Sequence, residues 1–80
     1  MTIELLEKYF NQELKNVTRT LMFANNSAER LHACDSTINR ALGVVILAKI
    51  AKLDFDIVQK MYHDFCDKVS AERKLFSKRG

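Results

Sequence analysis

Proline is absent from this 80-residue chain, and glycine occurs only as Gly43 and Gly80. Hairpins and sandwiches rely on both residues at their turns. Their scarcity argues against a turn-rich β fold and for long helices with few connections. Two isolated glycines also make no phosphate-cradling loop. Tryptophan is missing, and the longest apolar run, Ala41–Leu53, is interrupted by Lys49 and Lys52. It is well short of the ~20 residues that span a bilayer. The start, Met1-Thr2-Ile3-Glu4-Leu5-Leu6-Glu7-Lys8, alternates charge with apolar residues. A secretory signal has a basic start and an unbroken apolar stretch. The expectation is a cytoplasmic protein with no membrane partner, in which Cys34 and Cys66 are free thiols.

Hydrophobic residues make up 48% of the chain and charged residues 29%, a balance that excludes disorder. The length allows one domain, whose core supplies a net stability on the order of 3–5 kcal/mol. Small chains of this kind often gain stability from a partner subunit. The formal charge of +3 falls entirely in the second half of the chain. Lys68, Arg73, Lys74, Lys78 and Arg79 crowd its last segment against Glu72 alone. Cations there offset the negative end of a helix dipole, and the same charge suits phosphates or an anionic surface.

Three helices can be read from the spacing. The first covers Thr2–Ala24, with Thr2 as cap and Ile3, Leu6, Phe10, Leu14, Val17 and Leu21 as its stripe. Leu5, Tyr9 and Phe23 lie off that stripe and widen the apolar face. Asn26 with Glu29 has the form of a capping box and opens a second helix running to about Lys52. Its expected stripe is Leu31, Cys34, Ile38, Leu42 and Val45. Asp35-Ser36-Thr37 compete for backbone hydrogen bonds and could split it into two. Asp54 caps a third helix whose stripe is Val58, Met61, Tyr62, Phe65, Val69 and Phe76. The end beyond Phe76 is expected to fray. The fold class is all-α, an antiparallel three-helix bundle, or four helices if the second breaks near residues 35–37.

Chemistry has little to stand on. His32 with Cys34 and His63 with Cys66 invite a zinc reading. Residues two apart on a helix point to nearly opposite sides, so His32 and Cys34 cannot share an ion. Asp64 and Asp67 share a wet face, as solvated charges do, and no pocket is implied that would serve a Cys–His nucleophile. The sequence therefore predicts no enzyme, no cofactor and no metal.

Leu47, Ala48, Ala51, Leu53, Val58 and Met61 resemble, in order and spacing, the buried positions of a helix-turn-helix DNA-binding motif. The resemblance covers about 20 residues within 44–63. It implies that Phe55, Gln59 and Lys60 face a groove, with Arg73 and Lys74 as further DNA contacts in a dimeric regulator. Lys52 stands where that motif usually has glycine, so the chain would need either Lys52 in a left-handed conformation or a different turn. Asp54 and Asp56 would repel phosphates.

The reading preferred from sequence is a protein–protein interaction module that associates with a second copy of itself. Ala41–Leu53 is apolar on every side, and two neighbouring helices cannot cover all of it. Leu5, Tyr9 and Phe23 on the first helix and Val44, Leu47 and Ala51 on the second are the candidate contacts. A two-fold homodimer is the default assembly, and a larger protein is a further candidate partner.

Overall fold

The computed structural model describes residues 1–79, without the side chains of 78 and 79. The basic side chains of Lys78 and Arg79, and Gly80, therefore lie outside the described residues. Helices α1 (Ile3–Phe23), α2 (Ser27–Ile50) and α3 (Phe55–Arg79) pack against one another as an up-down-up bundle with extents of 42 × 15 × 15 Å. There are no strands among the described residues. The α3 backbone stays helical past Phe76, through Arg79.

Local chemistry sets each boundary. Thr2 Oγ1 accepts from the Leu5 N–H at 3.2 Å, and Asp54 Oδ1 accepts from the Ile57 N–H at 3.1 Å. Asn26 Oδ1 accepts from the Glu29 N–H at 2.9 Å. The Glu29 carboxylate reaches back to the Asn25 N–H at 2.7 Å, one residue further upstream than the usual box. The end of α2 is a Schellman turn. Lys52 has φ 63°, its N–H bonds the Lys49 carbonyl at 3.0 Å, and the Leu53 N–H bonds the Ala48 carbonyl at 3.1 Å. Leu53 then folds onto the core beside Ala48.

Helix α2 does not break at residues 35–37. Thr37 points inward and is buried, and its hydroxyl accepts from the Arg40 guanidinium at 3.1 Å. Asp35 faces water. With neither side chain capturing backbone groups, the helix runs on uninterrupted, and the bundle has three helices rather than four.

The core is asymmetric in size. Helix α1 buries Leu6, Phe10, Val17 and Leu21, and α3 buries Val58, Phe65 and Val69. The Phe10 and Phe65 rings meet at 5.1 Å between centroids. Helix α2 buries Cys34, Thr37, Ala41, Val45 and Ala48, none larger than valine. This corrects the expected stripe, because Leu31 and Leu42 are exposed. The sequence reading turned the largest apolar residues inward. Cys34, Ile38 and Val45 of that stripe do pack inward, but the rest of the inner face is made by the small residues Thr37, Ala41 and Ala48, and the large rings of the core come from Phe10 and Phe65.

Lys52 has a β-carbon in a left-handed turn, which costs on the order of 1–2 kcal/mol that glycine does not incur. Lys52→Gly should therefore stabilise the chain by about 1 kcal/mol in urea denaturation, part of the gain being lost to the greater freedom of the unfolded glycine. An unchanged or lower midpoint would contradict the left-handed assignment.

Candidate functional site

Because α2 turns small residues inward, its large ones face out. Leu42, Ile46, Leu47 and Ile50 are 44, 51, 56 and 71% exposed, respectively. They surround Gly43, where an added β-carbon would meet nothing within 4 Å. Asn39, Gly43, Ile46 and Ile50 recur at steps of four, three and four, the spacing of one helix face suited to a second helix. Glycine inside a helix costs about 0.8–1 kcal/mol relative to alanine. No contact within the chain requires the missing side chain here.

The candidate contacts divide between the two ends of the bundle. Glu13 and Arg40 form an ion pair at 3.2 Å, which sets the antiparallel register of α1 against α2. Counting outward from it brings Tyr9 level with Val44 and Leu5 level with Ala48. Leu5, Tyr9, Val44, Leu47 and Ala51 thus share one end of the α1/α2 flank, beside the outer face of α2. Leu5, Leu47 and Ala51 are exposed there, whereas Tyr9 and Val44 are half-buried against the core. Phe23 is apart from them. It lies at the opposite end, in an apolar groove of about 700 Å³ with Ala24, Ala28, His32 and Ala33. Leu42, Ile46 and Ile50 were missed by sequence reasoning. The signal that could have found them was the run of small residues at 34, 37, 41 and 48, which marks the opposite side of α2 as the buried one.

The candidate DNA contacts do not form one surface. Phe55, at the start of α3, lies under the Lys49 ammonium, 4.7 Å from the ring centre. Gln59 is half-buried and hydrogen-bonds His63 at 3.0 Å. Lys60 lines the α1/α3 groove with Glu7 and Asp64. Arg73 and Lys74 line the α2/α3 groove, eighteen or more residues beyond Phe55, ~27 Å along the helix. Helices α2 and α3 stay side by side from Lys49 and Phe55 at one end to Arg30 and Arg73 at the other. A helix-turn-helix instead sets its two helices at ~90–120°.

Among the described residues, no three His, Cys, Asp or Glu side chains converge as a metal site would require, and no helix is long and apolar enough to cross a membrane. Both thiols are free. Burial pushes the Cys34 thiol above its ordinary range, with Arg73 opposing the shift and Asp35 adding to it. Burial likewise raises the Tyr9 and Tyr62 hydroxyls, helped by Glu13 at Tyr9 and by a hydrogen bond with Cys66 at Tyr62. Such raised groups keep their protons longer in the folded chain than in the unfolded one. Their contribution to stability is complete below the ordinary thiol and phenol ranges and is lost as pH rises through them.

Urea denaturation should show stability falling between pH 7 and pH 10, and falling less in Cys34→Ala. Equal pH slopes in the two proteins would show that Cys34 ionises as freely when folded as when unfolded. Comparison of the chain with family models, with curated proteins and with solved structures gives no match.

Proposed function

We propose that this chain is a helical interaction module that pairs with a second copy of itself through the outer face of α2. One observation supports this above the others. The large apolar residues of α2 lie outside a core that is already filled, around a glycine that the chain's own packing does not need. Removing such a face from water contributes roughly 25 cal/mol per Å². A lone copy leaves that contribution unused.

The pattern is also self-complementary. When two α2 helices run antiparallel with their midpoint between Val44 and Val45, Leu42 of each copy meets Leu47 of the other. Ile46 then meets Gly43, and Ile50 meets Asn39. Each large side chain at the centre finds a gap or another apolar group. Residue i touches j and j touches i, as a two-fold interface requires. Leu5 and Ala51 extend the patch along the α1 flank. A stable dimer buries roughly 800 Å² per partner, with about 20–30 residues a side. The α2 strip with this flank is the part of the surface best suited to the centre of such an interface. The separated positions of Phe55, Gln59, Lys60, Arg73 and Lys74 give the DNA reading no comparable support.

Gly43→Leu separates specific pairing from general stickiness. The added side chain meets nothing within its own chain and removes a helix-breaking glycine, so the monomer should gain about 1 kcal/mol. It also makes the surface more apolar, yet it fills the gap for Ile46 and should weaken dimerisation at least tenfold in sedimentation equilibrium. Ile46→Glu should give a folded monomer. A wild-type chain that stays monomeric at several hundred micromolar would refute self-association, and tighter association of Gly43→Leu would refute the close approach at Gly43.

A further inference from the structure

At the opposite end of the molecule from the apolar face, α2 begins beside the last turns of α3. Arg30, Arg73 and Lys74 line a groove of about 450 Å³ there, together with Ser27, Leu31 and Ser77. Three cations from two helices share this space, and none of them is in an ion pair among the described residues. The nearby carboxylates are otherwise placed. Glu29 is taken up by the Asn25 N–H, Asp35 lies one turn further along α2, and Glu72 lines the groove on the far side of α3.

Helix-dipole compensation does not explain the cluster. Arg73 and Lys74 suit the C-terminal part of α3, but Arg30 stands in the first turn of α2, where the dipole favours an anion. Arg30 also has a buried Nε–H with no hydrogen-bond partner, while its Nη2 donates to Ser27 Oγ at 3.2 Å. A doubly charged anion in the groove would relieve the repulsion among three like charges and accept from both arginines, whose planar forks match phosphate oxygens.

We infer that the groove formed by Arg30, Arg73, Lys74, Ser27 and Ser77 is a binding site for the phosphate group of a small phosphorylated ligand. The guanidinium groups grip the oxygens, Lys74 adds a mobile charge, and the two serine hydroxyls lie at the margins. The volume admits one phosphate with a modest group attached and falls within the range of small-molecule sites. Arg30, Arg73 and Lys74 line one groove of limited volume, which favours a single phosphate over the repeated phosphates of a duplex.

The test is a backbone amide NMR titration of the full chain with inorganic pyrophosphate in 150 mM sodium chloride. Saturating shifts should be confined to residues 27–31 and 73–77. Arg73→Gln and the exposed-site variant Lys74→Gln should each weaken binding, the arginine variant by about tenfold or more, as loss of a charge-assisted hydrogen bond implies. Lys8→Gln removes the same charge from α1 and should leave the affinity unchanged. Parallel titrations use a short DNA duplex and vesicles containing one-third phosphatidylserine. Binding of either at this groove, with pyrophosphate inert, would overturn the small-ligand assignment. Shifts that do not saturate, that spread over every lysine, or that saturate with unchanged affinity in Arg73→Gln would overturn the site itself.

Discussion

The small-residue inner face of α2, against which α1 and α3 pack, is the constraint from which the rest of the molecule follows. Cys34, Thr37, Ala41, Val45 and Ala48 occupy little volume and are the α2 residues that the neighbouring helices bury. Phe10 and Phe65 can then meet across the remaining space. Larger side chains on that face would force the helices apart, with strain of about 1–3 kcal/mol per overpacked site. The same choice fixes what α2 shows to water. Ile38 still packs against the core, whereas Leu42, Ile46, Leu47 and Ile50 are left on the outer face.

The two ends of the bundle consequently differ. Toward the end where α1 and α3 begin and α2 ends, Leu42, Ile46, Leu47 and Ile50 make an exposed apolar strip around Gly43, with Arg40, Lys49 and Lys52 at its edges. Where α2 begins and α3 ends, the surface is cationic and flanked by hydroxyls. Pairing through the middle and C-terminal half of α2 would leave both basic grooves of a dimer open, one at each far end. Self-association and anion binding are therefore compatible on one small chain, and neither residue set intrudes on the other.

Much of the fold was legible in the residues because capping chemistry is local. Thr2, Asn26 and Asp54 each bond an N–H three residues ahead, and their identities alone announce this. At Lys52 the residues left a left-handed backbone or a different turn open, and the structure has the former. The orientation of α2 was not. In a helix that is apolar all round, periodicity gives no preferred direction, and the assumption that large residues go inside turned Leu31 and Leu42 the wrong way. Packing geometry decides that question, and it depends on residues in α1 and α3 far away in sequence. The exposure of Leu47 was readable from the residues, whereas that of Ile46 and Ile50 required the true rotation of α2. Arg30 could not be joined to Arg73 from sequence, because only the α2/α3 register brings residues 43 apart into one groove.

The central claim is that the outward apolar face of α2 meets its own copy around Gly43. An isotope-filtered NMR experiment on a mixed sample, half carbon-13 labelled and half unlabelled, tests it most directly. The account predicts intermolecular contacts from the Ile46 methyl groups to the Gly43 α-protons, accompanied by Leu42 to Leu47. Intermolecular contacts that map instead to Phe23 and its neighbours, or none at a concentration where the chain is dimeric, would contradict it.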